Sequence, residues 1–448
     1  MVAVTCSKRS LQSVSDSSRY ASTRESILTM PASPVHLDGT TLEGGGQLLR
    51  LALSLSSLTH IPFHVTKVRG NRSKGGGLKP AHLAGVEWLA KATGAQTEGM
   101  EVKSKELVFR PSAGTAEYRA EQSKNETRGV WEEVYEVGRL VRRQSHIFMS
   151  TPGSILLVLQ AILPFLLFVG SSKTQDTAIP LRITIEGGTN VSNSPSIEYA
   201  IQVLLPLLTS KVGIPPISVT LHRRGWSTGR ADVGSVTFDI HPLSAGSTIP
   251  TFLFQDRGGL TKAHVSILAP DAKARSLIRE KVTAHLLAFE PELEITFPID
   301  ENSGHDKRLY LLIVAETSNS FKLGRDWLYD RKMRGSSPEE SCETLVSKVV
   351  KDLKRELKHG GCVDEYMQDQ LVVFQALAAG KSEVDGGKGR EESLHTRTAI
   401  WVVEQVLGLR FDDRGRCEGV GFRVGEDFLG RNGDGADEAT EGIANLSL

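Results

Sequence analysis

The chain has 448 residues, 39% of them hydrophobic and 24% charged, enough for a sizeable core in an ordinary globular composition. Lys+Arg and Asp+Glu both number 53, so overall charge points to no polyanionic partner, and any nucleic-acid contact must use a local basic patch. Four cysteines (Cys6, Cys342, Cys362, Cys417) without a CxxC pair speak against a zinc cluster or disulfide framework and fit a reducing compartment.

Residues 1–32, rich in Ser, Thr and Arg, read as a disordered leader, with a transit peptide or an overlong start before Met30 as alternatives. Gly45–His60 reads as a helix, with Leu48, Leu51, Leu55 and Leu58 on one face. The strand "FHVTKVR", the helix "AHLAGVEWLAKATG" and two strands around "QTEGMEV" and "ELVFRP" follow. Residues 112–149 are polar and irregular and read as an inserted surface loop. The apolar run Ile155–Gly170 is shorter than the roughly 20 residues of a membrane span and contains Gln160 and Pro164. It reads as a buried core helix in which Gln160 needs polar partners.

The same order then returns: this helix, the strand "LRITIEG", the helix "SIEYAIQVLLPLLTSKVG" and the strands "ISVTLHRR" and "VGSVTFDI". A third, shorter copy runs from "VDEYMQDQLVVFQALAAG" through "TAIWVVEQVLG" to "CEGVGFRV". Repeated βαβαββ units with helices on one face of a sheet, an α/β (α+β) fold, are the economical reading. Residues 240–358 interrupt the array as an inserted small α/β domain. The catalytic domain is then 33–239 and 359–425, the tail 426–448 is acidic and disordered, and two lobes sharing a cleft are expected.

The stretch "LEGGGQLLR", 42–50, lacks the Lys-Ser/Thr of a P-loop and the spacing of a dinucleotide fingerprint. Its glycines lie directly before an apolar helix, where free N–H groups and the helix dipole favour an anion. Arg50 in that helix must be paired or lie beside a bound anion, and Glu43 could bind a divalent cation or pair with the arginine. A phosphate site and a structural ion pair both fit. The second glycine-rich loop, "KVRGNRSKGGGLKPAHLAG", carries Lys67, Arg69, Arg72, Lys74 and Lys79. Both loops follow a strand and precede a helix, so they are expected on one sheet edge, as a shared site for polyphosphate or nucleic-acid backbone. His395 starts a helix, where capping and catalysis are both open readings. Asp364, Glu365, Asp369 and Gln370 crowd another helix start, the last two beside its apolar side.

Together these blocks resemble the RNA 3'-terminal phosphate cyclase family. "DGTTLEGGGQLLR", "RGNRSKGGGLKPAHLAGVE", "PGSILLVLQAILP", "GGTN", "HGGCVDEYMQDQL" and "LHTRTAI" are similar, in order, to that family's blocks over roughly residues 35–423. The resemblance implies that ATP adenylylates His395, that AMP passes to an RNA 3'-phosphate, and that the 2'-OH closes a 2',3'-cyclic phosphate. It implies a nucleotide site of Gln160, Glu365, Tyr366, Met367, Gln368, Asp369, Gln370 and Arg50. It also implies Arg69, Arg72 and His82 on the RNA end, and Glu43 on a divalent metal, Mg²⁺ or Mn²⁺. RNA with a 3'-phosphate is the implied partner, no membrane or obligate protein partner is indicated, and the nucleus is the expected location.

The sequence departs from the family pattern at Ala81 (Gln in the family), at Pro152, in the longer "KGGGL" loop, in "RGWSTGRADVGS" and in "GRDWLYDRKM". The rival readings are a non-catalytic cyclase-like ribosome-assembly factor and an enolpyruvyl-transferase-like enzyme. The assembly branch lacks the histidine and the EGGGQ block. The enolpyruvyl enzymes lack the DEYMQDQ and LHTRTAI blocks.

Overall fold

The computed structural model describes residues 33–72, 75–112, 133–136, 139–142, 144–169, 180–330 and 337–429. The expected leader, most of the tail, and residues 113–132 of the expected loop lie outside the described residues.

The first unit runs β1 (Val35–Asp38), α1 (Gly46–Thr59), β2 (Phe63–Thr66), α2 (Pro80–Thr93), β3 (Gln96–Glu98) and β4 (Leu107–Arg110), with sheet order β1-β2-β4-β3. After a hairpin of β5 (Glu133–Glu136) and β6 (Arg139–Arg142), the pattern repeats. Its elements are β7 (Gln144–Phe148), α3 (Ile155–Phe168), β8 (Leu181–Gly187), α4 (197–212), β9 (Ile217–Arg223) and β10 (Gly234–Ile240), in sheet order β7-β8-β10-β9. In both sheets the first two strands are parallel and the others antiparallel.

The third unit opens with β11 (Leu253–Phe254) and is then interrupted by β12 (Leu260–Ala269), α5 (Ala272–Leu287), β13 (Glu294–Asn302), β14 (Tyr310–Thr317), β15 (Lys322–Leu328) and α6 (Pro338–His359). It resumes with α7 (Glu365–Leu377), β16 (Ala379–Val384), α8 (Leu394–Leu407) and β17 (Arg416–Val420), closing a sheet β11-β16-β17.

Two features differ from the sequence reading. Residues 144–148, placed inside the expected loop, form β7 and pair in parallel with β8. Only Ile147 of that strand is buried, so it carries no apolar signature. Residues 249–254, assigned to the insertion, belong to the third unit: β11 pairs with β16, and Ile249, Phe252 and Phe254 join the main core. A two-residue strand is too short to leave a period in the sequence.

Helix α1 is the centre of the molecule. Every residue from Gln47 to Thr59 is buried, with leucines on all sides of the helix. Ser54, Ser56 and Ser57 are interspersed among them, and such small side chains let neighbouring helices, α3 and α8 among them, pack closely. Ser56 and Thr59 donate their hydroxyls to Ile61 O and Leu55 O at 2.6 and 2.8 Å. Helix α3 is capped by Ser154, buries Ile155 through Phe168 almost throughout, and packs on α1 and α2. Among the described residues no helix is long and apolar enough to cross a membrane.

The inserted unit buries one face of its sheet, order β13-β12-β14-β15, under α5 and α6 as a second core. The other face does not stand clear as the edge of an open cleft. Leu268, Leu312, Val314 and Leu323 join the main core, Gly324 fits against Tyr199 and Val203 of α4, and Gln202 donates to Ser266 Oγ at 2.8 Å.

Candidate active site

Strands β1 and β2 are parallel neighbours, so the two glycine-rich loops leave the same sheet edge. Cross-links between the loops hold them there. Lys67 Nζ meets Asp38 Oδ2 at 2.8 Å, Asn71 Nδ2 donates to Thr40 O and Leu42 O at 2.5 and 3.1 Å, and Gly70 N donates to Gly39 O at 3.1 Å. Lys67 and Arg69 adopt left-handed backbone, at φ 49° and 55°. That conformation costs side-chain-bearing residues on the order of 1 kcal/mol and concentrates at functional sites.

The three glycines have separate reasons. Gly44 turns at φ 56°. A Cβ on Gly45 would fall within the Glu43 carboxylate, and one on Gly46 would lie 2.6 Å from both Arg50 Nη1 and His82 Nε2. The space they leave is therefore filled by functional side chains folding back over the start of α1. That start has no side-chain cap and no acid in its first turn, so its polarity favours an anion.

Glu43 is 8% exposed and its Oε1 takes a charge-assisted bond from Arg72, not from Arg50. Its backbone N–H donates to Thr398 Oγ1 of α8 at 3.2 Å, which ties the loop to the turn carrying His395. His395 Nδ1 stands 3.7 Å from Glu43 Oε2, and the imidazole is half exposed. Burial lowers the His395 pKa below its ordinary value; Glu43 works against that shift, and Arg50 and Arg72 reinforce it. Ser393 caps α8 by accepting from Thr396 N at 3.0 Å.

Behind this open edge lies a buried polar set. Gln47 Oε1 accepts from Arg50 Nη2 at 2.6 Å and from Gln160 Nε2 at 3.3 Å, which gives the Gln160 amide a partner at its nitrogen only. Burial brings Arg50 down to about 10, opposed by Asp369 and Glu43, so it stays charged. Burial raises Asp369 to about 7, opposed by its bond from Gln370 and by Arg50. His82 is pushed down to about 3 by burial and then by Arg50, Arg69 and Lys79. Its Nδ1 accepts from Lys79 N at 3.3 Å, which puts the proton on Nε2, facing Gly46 and Arg50. Four buried atoms here, Glu43 Oε2, Gln47 Nε2, Arg50 Nε and Gln160 Oε1, have no hydrogen-bond partner. Beside Arg50, Ser54, Gln160, Asp369 and Gln370 line a cavity of about 20 Å³, room for one water.

The structure thus brings Glu43, Arg50, Arg72, His82, Gln160, Asp369, Gln370 and His395 together, with Arg69 at the margin, where its Nη1 donates to Gly77 O at 3.3 Å. It does not bring Met367, which is wholly buried in the hydrophobic core. Gln368 turns to the opposite side, against Gly386. A helical period cannot aim six consecutive residues at one ligand. Glu365 and Tyr366 are engaged by Arg325 of the inserted unit. Ala81, where the family has Gln, lies against Gly153 at the start of α3.

Sequence reasoning passed over Gln47 and Arg325, both of which contact these residues. Gln47 had a signal, a lone amide in a helix of Leu, Ala and Ser; Arg325 had none.

In the comparison with known families, the model describing RNA 3'-terminal phosphate cyclases covers residues 41–412. The chain belongs to the RNA 3'-terminal phosphate cyclase family. The match runs from the loop after β1 to just before β17 and so includes the insertion, both glycine-rich loops, α7 and His395. The α+β architecture agrees with that membership.

Proposed function

We propose that the protein converts an RNA 3'-terminal phosphate to a 2',3'-cyclic phosphate with ATP, through an adenylylated His395. The observation that carries this reading is the half-exposed imidazole of His395 beside the buried Glu43–Arg72 pair. A carboxylate on the Nδ1 side favours the tautomer protonated there, leaving the Nε2 lone pair as nucleophile. His395 attacks the α-phosphorus of ATP; an N–P bond forms and the bond to the β-phosphate oxygen breaks, releasing pyrophosphate. An oxygen of the RNA 3'-phosphate then takes the AMP group from the imidazole. The adjacent ribose 2'-OH attacks the activated phosphorus, loses its proton and expels AMP. Arg50, Arg72 and the uncapped start of α1 stabilise phosphate charge in these steps. His82, neutral throughout, donates Nε2–H to the same region.

A divalent metal fits Glu43 on one ground: its Oε2 is buried with an unused lone pair. Among the described residues no group of three or more His, Cys, Asp or Glu is placed to hold a metal ion. A single carboxylate suits Mg²⁺, which keeps waters and binds largely through substrate phosphates. When bound, such an ion neutralises charge on the triphosphate.

The test is incubation with ATP labelled at the α-phosphate, followed by a 3'-phosphorylated oligonucleotide. Acid-labile, alkali-stable label on the protein, absent from His395→Asn, and a phosphatase-resistant RNA end are expected. Folded wild-type protein that gains no label and cyclises no RNA would reject the enzyme in favour of the assembly-factor reading.

A further inference from the structure

The inserted unit reaches the site through two consecutive residues of β15. Asp364, wholly buried, caps α7 by accepting from Tyr366 N and Met367 N at 2.9 Å, and also accepts from Tyr199 Oη at 2.7 Å. Its second oxygen accepts from Gly324 N of β15 at 2.7 Å. The next residue, Arg325, pairs with Glu365 at 2.8 Å and places its guanidinium carbon 4.4 Å from the centre of the Tyr366 ring. Gly324 and Arg325 thus grip three successive residues at the start of α7.

The same arginine is ion-paired to Glu356 of α6, which is also in the inserted unit. Glu356 carries a second partner: Arg390 Nη1 lies 3.0 Å from its Oε2. Arg390 sits in the loop that leads into α8, and it also donates to Gly386 O at 3.4 Å within that loop. The side chains of Arg325, Glu356 and Arg390 are 3%, 3% and 9% exposed. Two cations and two carboxylates balance, so the chain Glu365–Arg325–Glu356–Arg390 is neutral as a whole. At such depth, ion pairs are screened little and depend on geometry.

We infer that the inserted unit is a positioning element for the reaction proposed above. Its Arg325–Glu356 pair holds the start of α7 with one arm and the loop leading into α8, whose first turn carries His395, with the other. The two arms make separable contributions. Arg325 acts through Glu365 and Tyr366 on the nucleotide side. Arg390 acts on the nucleophile side, by fixing the loop that leads into the first turn of α8, from which His395 projects.

The test uses the full-length wild type, Arg325→Lys and Arg390→Met. Arg390→Met leaves Glu356 paired with Arg325, so the inserted unit keeps its own charge balance. Self-labelling by ATP is followed as a function of ATP concentration. Arg390→Met is expected to label about tenfold more slowly at saturation with KM near the wild-type value, whereas Arg325→Lys raises KM for ATP about tenfold. Hydrogen exchange provides a reading that does not depend on catalysis: Arg390→Met speeds exchange in 386–396 alone, and Arg325→Lys in 365–370. Equal loss of folded protein in both variants, with wild-type kcat, KM and exchange in what remains folded, would show a merely structural pair and overturn the inference. A wild type that fails to label refutes the proposed reaction, and the exchange pattern then decides the coupling by itself.

Discussion

Glu43 Oε2 lies 3.7 Å from Nδ1 of His395, while the other oxygen of the same carboxylate is taken by Arg72. One buried carboxylate therefore holds Arg72 of the second glycine-rich loop and stands beside the imidazole. Its negative charge also offsets part of the lowering that burial imposes on His395.

Glu43→Gln removes that charge, so the His395 pKa falls further below its ordinary value. The imidazole then stays deprotonated to lower pH, and the acid limb of the self-labelling profile shifts to lower pH. The plateau rate drops by about two orders of magnitude, because phosphate positioning and Arg72 are disturbed together. A rate–pH profile of both proteins checks both effects; an unmoved acid limb contradicts the coupling of the two residues.

Gly46→Ala puts a methyl group 2.6 Å from Arg50 Nη1 and His82 Nε2. Both side chains are buried, and overpacking of this kind costs on the order of 1–3 kcal/mol. Self-labelling is expected to fall at least tenfold, with a lowered unfolding midpoint. Wild-type labelling in this variant would mean that Arg50 and His82 do not need their present positions.

Two buried groups give stability opposite dependences on pH. His82 has its pKa depressed to about 3 in the folded state, below the ordinary 6.5, so its contribution is intact above 6.5 and is lost as pH falls. Asp369 is raised to about 7 from 3.8, so its contribution is intact below 3.8 and is lost as pH rises through 7. Between about pH 4 and 6.5 the slopes oppose each other. Asp369→Asn removes one of them, and the variant should lose stability more steeply on acidification, by up to about 1 kcal/mol per pH unit. Denaturant midpoints at several pH values measure this; parallel curves for variant and wild type would exclude the shift at Asp369.

Ser393→Ala removes the cap of α8, at a cost of about 1 kcal/mol. Because His395 lies in the first turn, fraying there lowers the labelling rate a few-fold while leaving KM for ATP unchanged. Ser393→Asp, which keeps an acceptor, restores most of the rate.

The amino-acid order by itself determined the alternation of helices and strands, the apolar core helices, and the residue blocks that carry the family. It also marked Arg50 as a polar group inside an apolar helix and the basic residues of a glycine-rich loop, whereas His395 stood out only through the resemblance of its block to the family. Periodicity reports which face of an element is buried, but not what covers it. Only the tertiary structure decided that Glu43 turns to Arg72, that Met367 faces the core, and that Arg325 of the inserted unit reaches α7. The parallel register of β1 with β2 and the docking of β15 on α4 create those contacts between residues far apart in the chain, and no local pattern records them.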